Sequence, residues 1–170
     1  MKKPVFWLIY VLLVIAQILL THFLRMSPYL TLCILPVLVL CIPIRVGTVG
    51  VMLIAFVTGL TADLVGEGVL GLNTLALVPV GFLRNQIIQL VFGTEVFARG
   101  EDFSARRNGV GKVALAALIA EAIFFLLFIW VDGAGTRPFG FNLLRFMCSL
   151  GGSMLLALLT LDLLAPDPRR

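Results

Sequence analysis

The feature that most constrains this chain is a succession of apolar runs, each about as long as a bilayer is thick, divided by short breaks carrying charge, glycine or proline. A helix that crosses the hydrocarbon core needs about 20 mostly apolar residues, within a range of about 17–25. Runs of this kind occupy residues 5–23, 29–44, 46–65, 69–92, 112–131 and 141–164. The second is short and holds Pro36 and Pro43, which predicts a kinked helix. The fourth holds Pro79. Composition agrees with a lipid solvent: 61% of residues are hydrophobic, 13% are charged, and mean hydropathy is +1.11. Soluble domains carry about 45–50% apolar and about 25% charged residues. The expected fold is an all-α integral membrane bundle of six helices, one domain over residues 1–170, with no soluble domain.

The first run follows Lys2 and Lys3 and resembles a secretory signal. It exceeds a typical signal core, and no small-residue cleavage site follows it, so it is expected to remain as the first span. Orientation follows from the excess of Lys and Arg in cytoplasmic loops. With six spans and the N-terminus inside, nine basic residues fall on the cytoplasmic side: Lys2, Lys3, Arg45, Arg99, Arg106, Arg107, Lys112, Arg169 and Arg170. Two, Arg25 and Arg137, fall outside. Both termini are therefore expected in the cytoplasm, with short outer loops.

The net charge of +4 does not point to nucleic acid, because the basic residues follow the loops and form no patch interleaved with aromatics. Cys33, Cys41 and Cys148 all lie in apolar runs without CxxC spacing, and His22 is the single histidine. The cysteines read as small core residues, and neither metal nor cofactor is expected. The loop 93–111 is the one hydrophilic stretch of substance. Its arginines can set topology and touch anionic lipid. Its acids Glu95, Glu101 and Asp102 leave open a docking role for a cytoplasmic partner.

Ionisable residues inside spans cost at least about 2.5–3.5 kcal/mol each on insertion scales, so they should face the bundle interior. Asp63, Arg84, Glu121 and Arg145 are the cases here. Helical spacing puts Ala55 and Gly59 on one face with Asp63, and Ala114 and Ala117 with Glu121. It puts Asn73, Leu77 and Val80 with Arg84, and Asn142, Ser149 and Gly152 with Arg145. By depth, Glu121 and Arg145 are expected to form a buried pair, the alternative being a protonated Glu121. Either way these residues can serve register alone rather than function.

Between the third and fourth runs the chain reads Gly59-Leu-Thr-Ala-Asp63, then a glycine-rich turn with Gly68 and Gly71, then Asn73. This Gly-x-x-x-Asp followed by Gly-x-x-Gly resembles the rod shape-determining protein MreD family, whose length and six-span plan are also similar. The motif covers about 15 residues; Glu67 matches no position of the pattern. The resemblance implies a fold similar to the substrate-binding subunits of ECF vitamin transporters. It implies a non-enzymatic scaffold of the cell-elongation machinery in the bacterial cytoplasmic membrane. The implied partner is MreC and, through it, MreB, RodA and a class B penicillin-binding transpeptidase that build peptidoglycan. Gly59, Asp63, Gly68, Gly71 and Asn73 would then shape a hairpin for MreC.

Two other functions compete. In an ECF-type transporter subunit, Asn73, Glu121, Asn142 and Arg145 would line a substrate pocket. A membrane enzyme would need a paired acid or base, and the sequence has neither HExxH nor a P-loop.

Overall fold

The computed structural model describes residues 3–23, 30–67, 69–93, 109–133 and 137–164. Gly68, Arg25 and the charged part of the loop 93–111, with Glu95, Arg99, Glu101, Asp102, Arg106 and Arg107, lie outside the described residues. The described residues form helices joined by short irregular segments, without strands. The elements are α1 (Lys3–Phe23), α2 (Leu35–Leu40), α3 (Thr48–Ala62), α4 (Leu72–Phe92), α5 (Val110–Gly133) and α6 (Phe139–Leu164), with a π-helical turn, Asp63–Glu67, extending α3.

Five helices are long and apolar enough to cross a membrane. At about 1.5 Å of rise per residue, α1 and α4, each 21 residues, span about 31 Å. The α3 helix reaches this length only with its π-helical extension. The segment expected as the second span differs. It holds one short helix of six residues, preceded by irregular chain at 30–34. Pro36 sits in the first turn of α2, where its missing N–H costs no hydrogen bond, and Pro43 lies just past the end, so the prolines bound the helix rather than kink it.

Every residue of α2 is buried, as an all-apolar helix requires. It wedges between α4 and α5. The α4 helix packs along α3 on one side and α5 on the other, and α6 packs against α5. The α1 helix lies outermost, touching α2, α3, α6 and the π-helical turn. Contact between α3 and α4 is close at two points. A Cβ on Gly59 would come within 2.6 Å of Thr74 Cα, and one on Gly81 within 3.2 Å of Ala55 Cβ. Glycine here lets the two backbones touch.

The distribution of polarity inverts that of a soluble protein. Leu8, Leu12, Leu53, Leu90, Leu126 and Leu155 point outward and are exposed. Gln17, Asp63, Asn73, Arg84, Glu121, Arg145, Ser149 and Ser153 are buried. Apolar surface on that scale is stable against lipid, and intramembrane polar groups face the interior. The chain is a multi-pass membrane protein.

Candidate functional site

The glycine-rich hairpin begins with a carboxylate. Asp63, fully buried, opens the π-helical turn. Its Oδ1 accepts the backbone N–H of Asn73 at 2.8 Å. Its Oδ2 accepts the N–H groups of Gly71 at 3.0 Å and Thr74 at 3.1 Å, and the Thr74 hydroxyl at 2.7 Å. These backbone donors stand at the start of α4, where no carbonyl of the preceding turn is available. The residue in the capping position, Gly71, adopts φ 94° and has no side chain to cap with. Asp63 supplies the cap from the preceding helix, and the negative charge sits at the positive end of the α4 dipole. Gly59, Asp63, Gly71 and Asn73 thus converge. Gly66-Glu67-Gly68-Val69-Leu70-Gly71 also spells G-x-G-x-x-G, a pattern that reads as nucleotide binding only after a strand; here a helix precedes it.

The irregular segment before α2 poses a harsher problem. Irregular backbone at membrane depth is tolerated only where protein covers and satisfies it. Two helices serve its backbone groups, one on each side. On the α6 side, Thr31 N–H donates to Ser149 Oγ at 3.0 Å and Cys33 N–H to Ser153 Oγ at 2.9 Å. On the α1 side, Gln17 Nε2 donates to Leu32 O at 2.9 Å, and Gln17 Oε1 accepts from Ile34 N–H at 2.9 Å. The spacing is physical. Four helical residues rise about 6 Å and two residues of open chain reach up to about 6.6 Å, so Ser149 and Ser153 stay in step with alternate amides. A Cβ at Gly152 would meet Leu32 Cδ2 at 2.6 Å, so the absent side chain makes room for the segment.

Arg84 performs the converse of the Asp63 cap. It is fully buried, and its guanidinium donates to Leu40 O at 3.1 Å and to Ile42 O, at the carbonyl end of α2. A cation there satisfies orphan carbonyls and complements the helix dipole. Arg84 also reaches Asn85 Oδ1, and Asn85 Nδ2 donates to Thr48 Oγ1 at 3.0 Å, joining α4 to the start of α3.

The expected pair between Glu121 and Arg145 does not form. Arg145 donates to Asp132 Oδ2 and, at 3.0 Å, to Thr31 Oγ1. Asp132 lies eleven residues beyond Glu121 on α5, about 16 Å along the axis, and is level with the first turns of α6. Arg137 donates to the same Asp132 oxygen at 3.1 Å. Glu121 is fully buried, and neither of its oxygens has a partner among the described residues. Its neighbours on the buried face of α5, Ala117, Ala120, Phe124 and Phe125, offer none.

Gln17, Thr21, Thr31 and Asn73 supply the polar groups lining a small cavity between α1, the segment 30–34 and the α3–α4 hairpin, with a volume of about 10 Å³. A single water needs about that much. A wider groove of about 440 Å³ opens between α1 and α3, lined by Trp7, Val11, Leu53 and Val57 and crossed by the Tyr10–Thr58 hydrogen bond at 3.0 Å. Set against known protein families, characterised proteins and solved structures, the chain matches none.

Sequence reasoning overlooked Gln17, Thr31, Asp132 and Ser153 as members of this network. A lone glutamine in an apolar run and two serines four residues apart were the available signals.

Proposed function

We propose that the chain is a non-enzymatic membrane scaffold of the MreD kind. In this reading it crosses the bacterial cytoplasmic membrane six times, keeps both termini in the cytoplasm, and binds MreC in the cell-elongation machinery. MreB, RodA and a class B penicillin-binding transpeptidase join through that partner. Six crossings draw support from the irregular segment and α2. This stretch is tied at Thr31 to Ser149 of α6 and at Ile42 to Arg84 of α4, so it lies within the bundle rather than on its surface.

The observation that carries the scaffold reading is the use made of the buried charges. Asp63 caps α4, Arg84 caps α2, and Arg145 binds Asp132 and Thr31. Each is engaged in holding the chain's own backbone or helix ends. The hairpin motif supplies the family likeness, with Asp63 shaping the turn and the outer faces of α3 and α4 left for a partner. A substrate-binding subunit of an ECF-type transporter is the second reading, favoured by the polar lining of the small cavity beside Asn73. Its volume of about 10 Å³ is far below the roughly 300–1,000 Å³ of small-molecule sites.

Affinity purification of the tagged chain from mild-detergent membranes of its native host, read by mass spectrometry, tests the proposal. MreC with the elongation synthase is the expected recovery. A pair of ABC-type ATPases with a membrane coupling subunit would overturn it in favour of transport.

A further inference from the structure

The α5–α6 hairpin end gathers cationic groups that the bundle only partly uses. Arg137 and Arg145 both donate to one oxygen, Oδ2, of Asp132. Two guanidinium groups thus share a single carboxylate and leave one positive charge uncompensated in the trio. Arg145 is nine-tenths buried, and its Nε has no partner among the described residues. Arg137 is 40% exposed and packs over the Phe141 ring at 5.6 Å. Its only hydrogen bond among the described residues is the one to Asp132, which leaves most of its five donors open.

Two further features converge there. Arg137 lies two residues before the first residue of α6, whose first amides, on the exposed residues Phe139 and Gly140, have no helical carbonyl to bind. The rings of Trp130 and Phe139 meet edge to face at 5.9 Å on the outside of the same end, and both are exposed. Tryptophan is enriched at the headgroup level of a membrane, so Trp130 is a marker of lipid-phosphate depth at the end of the bundle that carries Arg137. Guanidinium groups bind phosphate oxygens in a bidentate fork.

We propose that Arg137, with Arg145 behind it and the start of α6 beside it, forms a binding site for a phosphate group, carried by an anionic lipid headgroup or by a free phosphate. The site depends on neither the scaffold reading nor the choice of membrane face.

The test is a thermal unfolding series on the full chain in detergent. The probes are phosphatidylglycerol, phosphatidylcholine and inorganic phosphate, each added to the wild type, Arg137→Gln and Arg45→Gln. Arg137→Gln leaves Asp132 paired with Arg145, so the fold is retained. Arg45 is exposed away from this cluster and controls for general charge attraction. The expected result is an upward shift with phosphatidylglycerol that phosphatidylcholine does not give, lost in Arg137→Gln and kept in Arg45→Gln. The same Arg137-dependent shift with inorganic phosphate would assign the site to the free ion as well. Phosphatidylglycerol alone would assign it to a lipid headgroup. A shift equal in wild type and Arg137→Gln, equal loss in both variants, or no shift with either phosphatidylglycerol or inorganic phosphate would overturn the site.

Discussion

Asp63 and Glu121 are both fully buried carboxyl groups on membrane helices, and the protein treats them in opposite ways. Asp63 stands where a helix ends and another begins, and receives three backbone N–H groups and one hydroxyl. Glu121 stands in the middle of α5, where backbone N–H groups are committed to their own helix, and receives no hydrogen bond among the described residues. The same chemical group is thus solvated by protein at a chain turn and left bare within a helix. Burial alone does not tell the two apart. Their position relative to helix ends does.

Arg84 extends the contrast to cations, since it too lies within a long helix. Its long side chain reaches the carbonyl end of a second, broken helix and finds its acceptors there. Arg84→Met should therefore be among the most damaging substitutions. It removes the cap of α2 and leaves buried carbonyls bare, at a cost of about 3 kcal/mol or more. Thermal unfolding in nanodiscs would measure it, and an unchanged midpoint would mean that α2 does not need a cation.

Ser153→Ala should act more weakly. It deprives one amide, Cys33 N–H, of its acceptor, a loss of about 1–3 kcal/mol. Hydrogen exchange should localise the effect to residues 30–34. Uniform loosening of the whole bundle would argue that the serines serve helix packing instead.

The five long helices were legible because lipid demands about 20 apolar residues per crossing, and the sequence spaces its breaks accordingly. The inward faces were legible too, since helical spacing grouped Gly59 with Asp63 and Val80 with Arg84, and all four are buried. The 29–44 segment was not. Hydropathy registers that a stretch is apolar, not whether it is helical, and the groups that make an irregular path tolerable come from far away in the chain. Gln17 lies 15 residues from Leu32, and Ser153 lies 120 from Cys33. Arg145 was given the wrong partner because the fifth run was bounded at residue 131, whereas α5 continues to Gly133 and carries Asp132 to the level of Arg145. The proposed function and its proposed partner rest on the likeness of the hairpin motif.

The contrast between the two carboxyl groups is tested most directly by two isosteric variants, Asp63→Asn and Glu121→Gln, melted beside the wild type in the same nanodisc preparation. Asp63→Asn turns an acceptor into a donor facing backbone N–H groups and removes the charge from the helix start. A loss of about 3 kcal/mol or more is expected, which is a fall of roughly 6–12 °C for a chain of this size. Glu121→Gln breaks no hydrogen bond among the described residues and should stay within about 1 kcal/mol of wild type. The opposite order, a tolerant Asp63 and a sensitive Glu121, would contradict the account and make Glu121 the group to which the bundle is built.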